Sequence, residues 1–216
     1  MRRSELLDAA QALFYEQGYE ATSVDAIIAK VGVSKGTFYY YFDSKVDVLS
    51  GLADQLGEAI MAQVGQIAEA ENEDALSKLN RVFAVSRSTK VANKELVMAL
   101  VKVFYRDGNV LLRHKLNNRT VALAGPQFAR IIRQGVAEGV FDTSDPDDAG
   151  EMIMRLGVDL NEQIAPLILQ LDENPKNLDL LTGKIDVYED AIARILGSPP
   201  GSIQVQDRTF FQELLK

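Results

Sequence analysis

The chain has 216 residues, 47% hydrophobic and 25% charged, with no cysteine and a formal net charge of −8. That length suffices to bury a large core, the lack of cysteine excludes disulfides, thiolate metal sites and a cysteine nucleophile, and the acidic balance excludes coating of nucleic acid by bulk attraction. No apolar run approaches the about 18 residues of a membrane span, and the opening MRRSELLDAAQALF, interrupted by Glu5 and Asp8, reads as a mature helix rather than a leader; a cytoplasmic protein with no membrane partner is expected.

Hydrophobic periodicity predicts helix along nearly the whole chain. Leu6, Leu7, Ala10, Leu13 and Phe14 fall at helical spacing, and Gly18 follows as a stop. Thr22 or Ser23 caps a second helix carrying Val24, Ile27, Ile28 and Val31, which Gly32 ends. Ser34 caps a third, short helix whose core stripe is Phe38 and Phe42, with Tyr41 at its edge. Ser44 and Asp47 resemble a capping box before a long helix through Val46, Leu49, Leu52, Leu56, Ile60 and Val64. Further helices are expected near 74–87, 93–106 and 109–138, with Pro126 a kink or boundary in the last. In SDPDDAGEMI, Asp145 or Ser144 is the cap, Pro146 lies in the first turn, and Asp147 and Asp148 sit at the positive helix end. ENPKNLDLL is read as the same device, with Asn174 and Pro175. GSPPGS (197–202) is a linker, and RTFFQELLK a short amphipathic tail that docks on the body.

Residues 36–44 raise a specific question, because five consecutive positions, Phe38 to Phe42, are aromatic. Successive helical residues are about 100° apart, so Phe38 and Phe42 can face inward only if Tyr39 and Tyr40 face outward. Those two then stand with Lys35, Gly36 and Thr37 on one exposed face. Hydroxyls and amines on a short capped helix hydrogen-bond phosphates and base edges, and a glycine lets the backbone come close. Three short helices with a Gly32-Val33-Ser34 turn between the second and third form a helix-turn-helix pattern. Residues 1–45 hold five basic and six acidic side chains, so any contact with nucleic acid rests on a few placed cations.

The stretch ATSVDAIIAKVGVSKGTFYYYFDSKVDVL resembles the DNA-binding domain of the TetR family of bacterial transcriptional regulators. The resemblance rests on Gly18-Tyr19-x-Ala21-Thr22, Ile27, Gly32 to Thr37, Tyr39-Tyr40-x-Phe42 and Ser44-Lys45. It implies an all-α homodimer: an N-terminal helix-turn-helix reader (1–47) and a larger helical ligand-binding and dimerisation domain (48–216) joined through its last two long helices. It further implies that Lys35, Gly36, Thr37, Tyr39 and Tyr40 meet the groove and phosphates, that Thr22 or Ser23 meets phosphate at the start of helix two, and that Lys45 pins phosphate at the start of helix four. The family most often has histidine where Tyr41 stands; a tyrosine hydroxyl still reaches phosphate but is uncharged near neutral pH. Thr22 also has a reading as a helix cap alone.

The segment 131–160 also resembles the family. Both following helices, through Met152, Ile153, Leu156, Leu160, Ile164, Leu167 and Leu171 and through Leu178, Leu181, Ile185, Tyr188, Ile192 and Ile195, are apolar over more than one core-facing stripe. Central helices of a monomer would look alike; the resemblance favours a dimer interface. Candidate lining residues for an effector pocket are Phe83, Met98, Val101, Phe104, Tyr105, Phe128, Met152 and Asn161. His114, the only histidine, reads as a surface residue, and no cofactor or metal site is expected. The leading function is a repressor released from a near-palindromic double-stranded DNA operator by a small-molecule inducer. The alternative is a helix-turn-helix regulator controlled by a protein partner. An enzyme is disfavoured, because the chain has no Gly-rich phosphate loop, nucleophile motif or histidine-based triad.

Overall fold

The computed structural model describes residues 2–206 and 209–211, and the side chain of Asp107 is not among the described groups. Nine α-helices and one 3-10 turn occur among the described residues, with no strand: α1 (Arg2–Gln17), α2 (Val24–Val31), α3 (Lys35–Tyr41), α4 (Lys45–Glu69), α5 (Ala75–Ala92), α6 (Lys94–Phe104), the turn Asp107–Asn109, α7 (Val110–Glu138), α8 (Pro146–Leu169) and α9 (Asn177–Ile195).

Local chemistry accounts for most of these boundaries. Ser23, Ser34, Ser44, Asp74 and Asp145 each accept a backbone N–H of the first turn they precede, as orphan donors at a helix start require. Gly32 closes α2 at φ 73°, in the left-handed region, so that both Gly32 N and Val33 N reach the Ile28 carbonyl. At Ser44 the box is displaced by one residue, because the Asp47 carboxylate accepts from Asp43 N rather than from the cap itself.

Of the kink or boundary expected at Pro126, the boundary is excluded, because α7 runs through it as one 29-residue helix. One expectation is corrected: α9 does not begin on an Asn174–Pro175 cap. Residues after α8 form turns tied back to it by Asn174 N to Gln170 O at 2.8 Å, and the helix starts at Asn177 without a side-chain cap. The Asn177 side chain is buried and donates to the Leu167 carbonyl at 3.2 Å, so it serves the α8–α9 corner.

The apolar faces collect into two cores. The first holds Leu6, Leu7, Phe14, Ile27, Phe38, Phe42 and the start of α4 through Leu52, together with Leu96, Ala99, Val103 and Phe104 of α6. The second lies among the later half of α4, α5, α7, α8 and α9. Helix α4 runs unbroken across the expected division at residue 47 and contributes to both cores. In the second core, α7 and α8 approach closely at Gly150. A Cβ there would stand 2.8 Å from Ala129 N and 3.0 Å from the Gly125 carbonyl, so only glycine fits. The tail does dock: Ile203, Phe210 and Phe211 are buried in the second core. Asn80 holds it from both sides, donating to the Ser202 carbonyl and accepting from Gln204 N. Residues 207, 208 and 212–216 of the expected amphipathic tail lie outside the described residues.

Candidate nucleic-acid interface and effector cavity

Helix α3 separates its aromatics as its geometry demands. Phe38 is 0% exposed and Phe42 2%, whereas Tyr39 is 55% exposed and Tyr40 81%. Tyr41 is half-buried, its ring edge-on to Tyr40 at 4.8 Å. Ser34 and Thr37 share a hydroxyl contact of 2.9 Å that fixes the first turn. Lys35 is exposed and pairs with Asp25 at 2.9 Å, and this hydrogen bond raises its pKa. Gly36 is exposed, and a Cβ on it would meet only Ser34 Oγ at 3.7 Å. The fold itself therefore does not require glycine at that position. The exposed face presents hydroxyls, one ammonium and a bare stretch of backbone, without a carboxylate on α3 itself.

Two expected phosphate contacts are placed elsewhere. Thr22 is 1% exposed. Its hydroxyl donates to the Gly18 carbonyl at 2.9 Å and accepts from Gln17 Nε2, so it locks the end of α1 instead of facing out. Ser23, the alternative, is exposed and is the N-cap of α2. Lys45 reaches back across the α1–α2 connection. Its ammonium donates to the carbonyls of Tyr19 at 2.7 Å and Thr22 at 2.8 Å, and lies over the Tyr19 ring at 4.2 Å. Three carbonyls, counting Glu20 at 3.4 Å, consume its three donors, and burial lowers its pKa. Thr22 and Lys45 thus hold the α1–α2 connection in place.

The second feature is a cavity of about 430 Å³ between α4, α5, α6, α7, α8 and the tail, within the range of small-molecule sites. Phe83, Val101, Phe104, Tyr105, Phe128 and Asn161 line it, as expected. Met98 and Met152 do not. Met98 packs into the second core, and Met152 is 54% exposed on the outside of α8. Helical spacing alone could not distinguish these faces, because α6 and α8 are apolar on more than one side. Missed by sequence reasoning were Arg87, Lys90, Met61 and Leu116, and the tail residues Val205, Gln206 and Phe210. A lysine near a helix end carries no sequence signal that it borders a cavity. Tyr105, beside Glu162 and half-buried, has its hydroxyl pushed up to about 12, chiefly by burial. Arg113 stacks on that ring at 4.7 Å and pairs with Glu162 at 2.8 Å.

The interface and the cavity share elements. Leu56 of α4 and Phe104 of α6 border the cavity while packing in the first core. Tyr15 of α1 donates to Asn93 before α6 at 3.0 Å, and Arg106 after α6 pairs with Glu20 at 2.6 Å. His114 is exposed and contacts only Asn118 among its polar neighbours, at 2.9 Å. Asp145 is occupied in capping α8, and no group of three His, Cys, Asp or Glu side chains among the described residues could hold a metal. No helix among them is long and apolar enough to cross a membrane.

Comparison with known proteins adds the family. Residues 6–52 match the family described as bacterial regulatory proteins, tetR family, and residues 76–168 match that described as Tetracyclin repressor-like, C-terminal domain. The chain is 30% identical over 118 residues to the fatty acid metabolism regulator protein of Bacillus subtilis (strain 168), covering 52% of this chain and 57% of that protein. It is 44% identical over 59 residues to the HTH-type transcriptional repressor KstR2 of Rhodococcus jostii (strain RHA1), covering 26% and 29%. The matched segments thus span less than two thirds of these relatives' own lengths. Among solved structures, SmeT, the repressor of the Stenotrophomonas maltophilia multidrug efflux pump SmeDEF, superposes with a TM-score of 0.60 at 19% identity, over 95% of this chain and 96% of that one. Thermus thermophilus FadR in complex with lauroyl-CoA superposes with a TM-score of 0.58 at 23% identity, over 84% and 93%. At such identities these two likenesses establish the fold.

Proposed function

The chain belongs to the TetR family of bacterial transcriptional regulators, and from that premise we propose that it is a homodimeric repressor released from its operator by a small-molecule inducer. As a member of that family it is a DNA-binding regulator and not an enzyme. The reading of its parts is that α1 to α3 with the first turns of α4 contact DNA, and that the remainder binds effector and dimerises. The observation that carries the effector reading is the cavity, walled by the same α4 and α6 that complete the first core. A regulator controlled only by a protein partner has no need of such a void.

On this reading Lys35, Gly36, Thr37, Tyr39 and Tyr40 meet DNA, with Ser23 and Tyr41 at the margin. Inducer binding shifts a population, so it must favour the arrangement of the two readers that does not fit DNA. Movement of α4 or α6 against the cavity would tilt each reader, because both helices are part of its core. Two α3 helices, one per protomer, would enter successive major grooves about one helical turn, roughly 34–36 Å, apart.

The test is protection of DNA upstream of the protein's own gene. The expected result is a near-palindromic footprint that resists a large excess of unrelated DNA. Binding no tighter to that DNA than to random duplex would overturn the reading.

A further inference from the structure

Helix α5 carries three cations that face inward, and they are treated differently. Lys78 is buried and paired, donating to the Ala68 carbonyl at 3.3 Å and to Gln134 Oε1 at 2.6 Å. Arg87 borders the cavity and, among the described residues, donates only to the Val205 carbonyl of the tail, at 3.4 Å. Lys90, on the same face three residues later, also borders the cavity and has no hydrogen bond or ion pair among the described residues. Burial alone lowers its pKa.

The other charges at the cavity are paired, with one carboxylate in excess. Arg113 pairs with Glu162, and Arg119 pairs with Asp54 and Glu58. Arg87 and Lys90 are therefore two cations without a carboxylate of their own among the described residues, and they leave the cavity with an excess of one positive charge in a chain whose net charge is −8. A lysine in the last turn of a helix complements the macrodipole, but that needs no burial. Lys90 is half-buried and lacks what the buried Lys78 has, a carbonyl and an amide oxygen to hold its ammonium. Gln206, beside the Arg87-bound Val205, also borders the cavity, and its Oε1 is buried without a partner. These three polar groups thus border one cavity whose walls are largely apolar.

We propose that the cavity takes an amphipathic anion, its single carboxylate or phosphate head on Lys90 and Arg87 and its apolar body along Phe83, Phe128, Leu123 and Ile164. The proposal rests on the effector reading above and specifies its ligand class. The head replaces water at Lys90 with a charge-assisted hydrogen bond. The Gln206 amide adds a second polar contact in either of its orientations, Nε2 donating to an anionic oxygen or Oε1 accepting from a hydroxyl of the ligand. The apolar body gains from the dry wall but cannot by itself distinguish an anion from an alcohol.

Calorimetric titration of the full-length protein without DNA tests this, with dodecanoate, dodecyl phosphate and dodecanol each below the concentration at which it self-associates. The expected result is that at least one of the two anions binds about ten-fold or more tightly than dodecanol, roughly the worth of one charge-assisted bond. The carboxylate and phosphate arms show which head the site takes. Lys90→Met keeps the stem and removes the charge, and should bring anion and alcohol affinities to within about two- to three-fold. Arg87→Gln should cut the preference in the same direction and serves if Lys90→Met folds poorly. Equal binding of dodecanol and both anions, no binding of any probe, or an undiminished preference in the charge-removing variants would each overturn the proposal. Operator footprinting on the same preparation separates the outcomes: an intact footprint with no anion preference removes the ligand class and leaves the repressor reading standing.

Discussion

Tyr39 and Tyr40 share a seven-residue helix with Phe38, and Phe42 caps its end, but the phenylalanines face inward and the tyrosines outward, so the two pairs should respond to truncation in opposite ways. Tyr40 loses little packing when cut back, because it is mostly in solvent. Tyr40→Ala should leave the melting temperature nearly unchanged and abolish operator binding. Phe42 is buried against Phe38, with the Arg3 guanidinium 5.2 Å from its ring. Phe42→Ala should cost about 3–5 kcal/mol in denaturant unfolding. The reverse pattern would mean that the helix is wrongly phased. Gly36 gives a sharper contrast. Its added methyl has room, so Gly36→Ala should stabilise the fold by about 0.4–1 kcal/mol through the unfolded chain. Operator affinity should nevertheless fall, because the methyl stands where the backbone would approach DNA. A variant that is both more stable and equally tight on DNA removes Gly36 from the interface.

At the scale of elements, the α1–α2 connection is held by α4. Lys45 donates to carbonyls on that connection, and Thr22 ties it to α1. Loss of the ammonium leaves two part-buried carbonyls unpaired; a fully buried unpaired group costs about 1–3 kcal/mol, and these cost less because solvent reaches them. Lys45→Ala should therefore speed amide exchange over residues 18–23 and lower reader stability. The dependence of operator affinity on salt should keep its slope. Each phosphate neutralised contributes about 0.9 to that slope in log–log form, so a dimer losing two such contacts would flatten by nearly two units. Flattening of that size would return Lys45 to the set of phosphate contacts. Helix α6 belongs to the same scale. It lies in the larger C-terminal part of the chain, yet Leu96, Ala99 and Val103 complete the reader's core. A shift of α6 is thus felt at α1 without passing through α4.

For the whole molecule, α8 and α9 each carry exposed apolar side chains. Met152 and Leu156 stand one turn apart on α8, and Leu180 and Val187 two turns apart on α9, the last 70% exposed. Stripes of this kind at helical spacing suit a helical interface with a second copy. Sedimentation at micromolar concentration should give twice the chain mass. Leu180→Asp with Val187→Asp should reduce it to one chain mass with helicity kept, and operator binding should fall with it. A wild-type protein that sediments as a single chain would remove both the interface and the palindrome.

What the sequence by itself determined is what depends on near neighbours. The caps at Ser34, Ser44 and Asp145, the left-handed turn at Gly32 and the division of α3 into an aromatic core face and a tyrosine face all follow from interactions within a few residues. The start of α9 escaped this reading, because contacts with α8 outweigh the local signal. The roles of Thr22 and Lys45 escaped it too. A hydroxyl or an ammonium has the same chemistry for a phosphate and for a carbonyl, and only the path of the chain from residue 18 to 23 puts carbonyls within reach. The cavity was decided entirely by tertiary structure. It is a space left between helices far apart in the chain, and Gln206 comes to border it with Arg87 and Lys90 only because the tail folds back to α5.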